Sequence, residues 1–444
     1  MSVRRPMPGP AGRWLCGLLL LVLLPALCRA GGAFLVNGQG KPLVWDTSQP
    51  VVWNPDQGAL GLLTQAQAVQ LVSDSFDVWG GVPHSALRFV AGNPLPCDVD
   101  QTNFGGPANA PCGTAPMQIL GNGGDGLSPV VFDKDGLLMD ALFGVGAGDC
   151  IIGFAAVVGG SFVPPLATEG EAVLNGRFFD GNTVNPELAS QAAFQAVFVH
   201  EFGHWANLDH SQLNTRFLGD GDPTNDGFLP TMIPTSTDDD TQLLSLHPDD
   251  EATLAGLYPA PDLAAGTASI QGSLLEADGT TLFQGANLVL RSVDAPFLQA
   301  YSAISGNRFR PSPPSPSPID PAGFGGPPSP VLKGAYQFAG VKPGQYTLEV
   351  EEVDPFFSGG SGVGPLNVPV FVPGPDEFWN GKDESSDPSL DSPGESSVLT
   401  VAGGDDISGI DIILNDLPPA DLLYAVDDHL FDPNQSSGPG TIIE

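Results

Sequence analysis

Basic side chains are scarce in this 444-residue chain: 15 Lys and Arg stand against 51 Asp and Glu, a formal net charge of −36. That balance argues against a nucleic-acid partner, because phosphate binding needs a basic surface and none can be assembled here. Cysteine is rare too, with 5 in the whole chain, so a small disulfide-stapled scaffold is excluded and two or three ordinary domains fit the length. Long helices cannot dominate, since 57 Gly and 45 Pro make up nearly a quarter of the residues. Histidine, at 6, is sparse enough for any clustering to be informative. What is abundant is apolar: 41% of the residues, too much for a wholly disordered acidic chain. An acidic, turn-rich, mostly folded protein results.

The longest apolar run, Leu15–Leu24, follows Arg4, Arg5 and Arg13 and is ended by Pro25, with Cys28-Arg29-Ala30 before Gly31. These are the three parts of a secretory signal peptide, residues 1–30. The run is shorter than the roughly 20 residues of a membrane span, so the mature chain is expected to be extracellular with no membrane span. Losing the leader leaves 11 basic against 51 acidic residues. Of the remaining cysteines, Cys97 and Cys112 bracket a Gly/Pro/Asn-rich loop and are candidate disulfide partners. Cys150 is then either unpaired and buried or the partner of one of them.

Helical spacing is clear over 63–79, where Thr64 suits the N-cap and Ala68, Leu71, Val72, Phe76 and Trp79 recur on one face. Strands are expected at 87–90, 129–132 and 151–158, with Asp133-Lys134-Asp135-Gly136 read as a turn rather than a calcium loop. A second helix is expected from Pro186, with Glu187 in its first turn, running beyond His204. A third begins at Pro248-Asp249-Asp250-Glu251. From Ala268 the period becomes that of strands: Ile270, Leu274, 287–290, 346–350 and a closing strand at Ile407–Leu414, with turns at Asp278-Gly279 and Pro343-Gly344. Residues 311–330 form a Pro/Ser/Gly insertion, 380–397 an acidic exposed stretch, and 418–444 a tail without a domain signal.

The chemistry lies in His200-Glu201-Phe202-Gly203-His204-Trp205-Ala206-Asn207-Leu208-Asp209-His210. Four residues is just over one helical turn, so His200 and His204 stack on one face and can share an ion. Glu201 is placed to deprotonate a water held by that ion. The helix must stop for His210 to swing back, and Asn207 suits the stop because it tolerates the left-handed conformation. Three imidazoles leave one position of a zinc ion open, the mark of a catalytic site. His84, His247 and His429 stand in polar, turn-like contexts and read as exposed or capping residues.

The stretch His200–His210 resembles the zinc signature HExxHxxGxxH of the metzincin metallopeptidases, with Asn207 at the usual glycine. The resemblance implies His200, His204 and His210 as zinc ligands and Glu201 as general base. Pro230-Thr231-Met232-Ile233-Pro234 is similar to the Met-turn of that clan, with Met232 a structural floor beneath the metal. Within the clan the likeness is to the matrixins, through Phe76–Trp79 and Leu246–Tyr258. No convincing cysteine-switch propeptide accompanies it, although Pro111-Cys112-Gly113 is superficially similar, and no clean second structural zinc segment is present. The later runs 270–273, 285–290 and 336–346 resemble prealbumin-like sandwiches of the carboxypeptidase-regulatory or collagen-adhesin B type. The implied fold class is multidomain: an α+β zincin domain with a twisted mixed sheet and long helices over 31–261, then an all-β sandwich over 262–417.

The function so implied is zinc-dependent hydrolysis of internal peptide bonds in extracellular proteins, with an extended substrate along an edge strand. A zinc-binding adhesion protein without turnover and a metallohydrolase of non-peptide bonds are the alternatives. Calcium is a second candidate ion: Asp220, Asp222, Asn225 and Asp226 offer oxygen ligands in a Gly-rich loop, and a solvated acidic loop is the equal rival.

Overall fold

The computed structural model describes residues 32–104, 119–121, 123–184, 187–309, 329–354, 366, 370–374, 377–390, 394 and 396–416. The expected leader, Cys112, nearly all of the 311–330 insertion, the tail and His429 lie outside the described residues.

The first region is built on a six-stranded sheet. Strands β1 (Val44–Trp45), β2 (Val51–Pro55), β3 (Phe89–Ala91), β4 (Pro129–Asp133) and β6 (Pro165–Asn175) run parallel in the order β1-β6-β4-β2-β3. The antiparallel β5 (Gly153–Phe162) lies along the other side of β6, with Ala155 opposite Ala172. Two helices cover this sheet, α1 (Gln65–Gly80) and α3 (Gln191–Trp205). Helix α1 starts as its sequence dictates: Thr64 and Gln67 form a reciprocal capping box, and Ala68, Leu71, Val72, Phe76 and Trp79 are its buried face. That face meets α3, where the rings of Phe76 and Phe202 stack at 3.7 Å and the Trp79 indole donates to the Val199 carbonyl at 2.7 Å. A buried side chain of this size contributes about 1.5–3 kcal/mol.

Several expectations are corrected here. The second helix begins at Gln191, capped by Ser190, not at Pro186; Glu187 instead accepts the Asp180 and Gly181 amides and closes a turn. The strand expected over 151–158 runs from Gly153 to Phe162. Strand β6 was not foreseen, because Pro165, Gly170, Glu169 and Glu171 break its apolar pattern, yet most of its residues are buried. The turn at Asp133–Gly136 leads into a short helix, α2 (Leu137–Phe143), with the Met139 amide donating to Asp133 at 2.8 Å.

Helix α4 (Pro248–Leu257) closes the first region, with Pro at its first turn and three acids there, as read. His247 is its N-cap and is buried.

The second region is two facing sheets. One joins β10 (Ala335–Val341) to β7 (Ala268–Leu275), with β14 (Asp406–Ser408) and β15 (Ile412–Ile413) added parallel to β7. The other runs β12 (Glu377–Phe378), β11 (Gly344–Glu352), β8 (Ala286–Ser292), β9 (Ala300–Ile304), with β13 (Leu399–Val401) on β11. The single closing strand expected at 407–414 is thus two short ones, interrupted where Gly409 takes φ +75°. Part of the acidic 380–397 stretch is pinned rather than loose: Glu384 accepts the amides of Asn380 and Ile413. The architecture is the expected α+β region followed by a β-sandwich.

Candidate metal centre

Helix α3 is buried from Ala193 to Trp205 except at Gln195, so it has no solvent face to advertise a period. Its polar residues therefore stand out chemically. His200, Glu201 and His204 are 0%, 0% and 6% exposed, and buried polar groups need partners.

Those of the histidines can be named. The Nδ1 atom of His200 lies 2.7 Å from the Thr231 carbonyl, and that of His204 lies 2.9 Å from the Leu208 carbonyl. A carbonyl only accepts, so each Nδ1 carries the proton and each Nε2 presents a lone pair. Burial, and for His200 also the neighbouring His204, lowers these pKa values to about 3 and about 4, so both rings are neutral at ordinary pH. The His210 ring completes the set: its Nε2 is 3.0 Å from that of His204 and 3.3 Å from that of His200. Among the described residues this is the one group of three His, Cys, Asp or Glu donors gathered within 4.8 Å. Three converging imidazole nitrogens in a buried spot are the donor set of a divalent metal.

The third histidine arrives by a turn fixed from outside the motif. Asn207 takes φ +63°, the left-handed conformation expected of it. Its side chain accepts the Leu35 amide at 2.7 Å and donates to the carbonyls of Leu35 and Leu43 at 3.0 and 2.6 Å. The Asp209 amide donates to the Gly32 carbonyl at 3.0 Å. The N-terminal segment thus clamps the turn, and Phe34 brings its ring to 5.6 Å from that of His204.

Met232 lies buried against the helix: a methyl added at Gly203 would meet its Sδ at 2.2 Å and Trp79 at 2.9 Å. The Met232 turn is held by Asp250, which accepts the amides of Thr231, Met232 and His247 at 2.8, 3.2 and 2.9 Å. Burial and the adjacent Asp249 raise the Asp250 carboxyl above the usual range, while its N–H donors pull it back. Thr231 in turn orients His200, so the acid at the start of α4 reaches the metal centre through one peptide unit.

Glu201 is placed beside the start of the edge strand, where a methyl on Gly153 would stand 3.3 Å from its Cγ. The calcium candidates are not gathered in the same way. Asp220 accepts the Asp222 amide and the Asn225 side-chain amide, Asp222 accepts from Thr224, and the buried Asp226 accepts the Asp239 amide. Cys97 is buried near Ile151 and Ala147, and its expected partner Cys112 lies outside the described residues. His84 is partly exposed and pairs with Asp262 at 3.0 Å.

Gly203 and Asp250 were not singled out from the sequence. A glycine inside a helical pattern is itself a packing signal; nothing local marks Asp250 beyond an acid at a helix start. In comparisons with known proteins, no family model and no curated protein matches the chain. The conclusion therefore stands on geometry: a buried His200/His204/His210 centre able to hold a divalent metal, with Glu201 beside it, the arrangement of a zinc hydrolase.

Proposed function

We propose that the protein is a secreted zinc metalloendopeptidase. The observation that carries this reading is the convergence of three buried imidazoles, two of them on the helix that also carries Glu201. Zinc suits this donor set, and when bound it would polarise a scissile carbonyl and acidify a water in its open position. Glu201 is the residue to accept the proton at its carboxylate and hand it to the departing amine. His200 and His204 are kept in the ligating tautomer by Thr231 and Leu208.

Strand β5 supports cleavage within a chain rather than at its end. Among the described residues its one strand partner is β6, and it begins beside Glu201. An extended peptide can pair with its free side by backbone hydrogen bonds while passing the metal on both sides.

The leader read in residues 1–30 directs the chain outward, and N-terminal sequencing of the exported protein should begin at Gly31. The disulfide expected at Cys97 would suit an oxidising compartment.

Glu201→Gln tests the mechanism. With zinc retained at one per chain, cleavage of denatured protein substrates should fall about 10³-fold, within the range for a lost general base. Wild-type-like turnover in this variant would reject the role of Glu201. No chelator-sensitive cleavage by the wild type would favour a zinc-binding adhesion protein instead.

A further inference from the structure

We propose that the β-sandwich is a working part of the metal centre, with Arg291 and Asn287 acting as positioning residues that hold the segment carrying His210. This rests on the metal-centre reading above.

Strand β8 is buried on both faces. Ala286, Leu288 and Leu290 point into the sandwich core. The alternate residues Asn287, Val289 and Arg291 face the first region, as the period of two requires. What they meet there is Ser211–Asn214, the four residues directly after His210. Asn287 donates to the Gln212 carbonyl at 3.2 Å. Val289 packs with Leu213 and Ala300 in a small apolar cluster. Arg291 donates to the Asn214 side chain at 2.6 Å, while ion pairs to Glu349 and Glu351 hold its own guanidinium in place.

The neighbouring strand makes the same connection. The Ser302 amide in β9 donates to Asp249 at 2.7 Å, and the other oxygen of Asp249 accepts the Ser211 hydroxyl at 2.6 Å. One carboxylate thus joins the sandwich backbone to the residue after a metal-binding histidine. Ser211 also donates its amide to the Met232 carbonyl at 2.8 Å. A spacer domain would need contacts with the outer surface only. These contacts reach the one arm of the site that lies outside the histidine-bearing helix α3, and such supporting partners typically change metal affinity or activity 10–100-fold when removed.

The test uses the full-length protein and zinc alone, by competition with a chromophoric chelator at a temperature where circular dichroism shows every variant folded. Asn214→Gly keeps the left-handed backbone, φ +62°, and deletes the side chain that Arg291 holds. Zinc binding should weaken about tenfold. Asn287→Ala, from the sandwich side, should weaken it in the same sense and serves if Asn214→Gly is poorly folded. Lys342→Ala breaks an ion pair to Glu251 at the same interface without touching 211–214, and should leave zinc affinity at the wild-type value. Wild-type affinity in both clasp variants, or equal loss in Lys342→Ala, would overturn the proposal while leaving the metal centre intact. A wild type that binds no zinc would overturn the metal-centre reading and this inference with it.

Discussion

The two arms of the metal centre are built by opposite means. His200 and His204 share one helix, so their spacing alone brings their rings together, with centroids 4.9 Å apart. His210 has no regular structure of its own. It is placed by a left-handed Asn207, by hydrogen bonds to residues 32–43 and by the sandwich contacts on 211–214. A local period specifies the first arm; groups more than 70 residues away along the chain specify the second. The helical arm should therefore respond weakly to changes outside it, and the turn arm strongly.

The largest effect should come from Asn207→Ala. The substitution strands the Leu35 amide and the Leu43 carbonyl, each costing roughly 1–3 kcal/mol when buried and unpaired, while the Leu35 carbonyl keeps the Leu43 amide. It also replaces a residue that tolerates the left-handed region with one that does not, at about 1–2 kcal/mol. We expect a loss of about 4 kcal/mol in urea unfolding, together with weakened zinc binding. A loss below about 1 kcal/mol would mean the turn is set by the helix after all.

The pH dependence of the interface comes next. His247 caps α4 by accepting the Asp249 amide at Nδ1, and its Nε2 lies 3.0 Å from the Phe297 carbonyl of the second region. Accepting at Nδ1 requires the neutral ring, and donating to Phe297 then places its proton on Nε2. Burial first, then the charges of Lys342 and Arg291, lowers its pKa to about 4, with the Phe297 carbonyl opposing. The unfolded chain protonates near 6.5, so this contribution is complete above pH 6.5 and is lost as pH falls towards 4. The loss is on the order of 3 kcal/mol. Asp249 and Asp250 change in the opposite sense, since burial raises them, so the difference between wild type and His247→Asn isolates the histidine. His200 and His204 titrate alike in both proteins and cancel in the same difference. Parallel pH profiles for the two proteins would refute the assignment.

This division also explains what could be read in advance. The α1 face, its Thr64 cap, the start of α4 and the three histidines follow from spacing and residue chemistry within a few turns. Strand β6 escaped because Pro165, Gly170 and two glutamates hide a buried strand whose partners lie on both sides. The grip of Asp250 on the Met232 turn and of Arg291 on Asn214 depends on tertiary neighbours that no local pattern names. The two-sided burial of β8 was visible only as an apolar run, and its role beside the metal site needed the fold.

Gly203→Ala probes the contact between the helical arm and its floor. The added methyl would meet Met232 Sδ at 2.2 Å and Trp79 at 2.9 Å. Methionine can move, so we expect an overpacking cost of about 2 kcal/mol in urea unfolding with His200 and His204 still binding zinc. An unchanged stability would show that Met232 is not seated against the helix.

The smallest effect should be at the far end of the same helix. Ser190 caps α3 by accepting the Ala193 amide at 3.1 Å, and Ser190→Ala should cost about 1 kcal/mol of stability. Nearly three turns separate that cap from His200. Between them Phe194 stacks on Phe179, and Ala193, Phe194, Ala196, Val197, Phe198 and Val199 are all buried. Packing therefore fixes the ligand-bearing turns even if the first turn frays. Zinc affinity in Ser190→Ala should match the wild type while the unfolding midpoint falls. If affinity instead dropped as far as in Asn214→Gly, the helical arm would be no more self-sufficient than the turn, and the contrast between the two would fail.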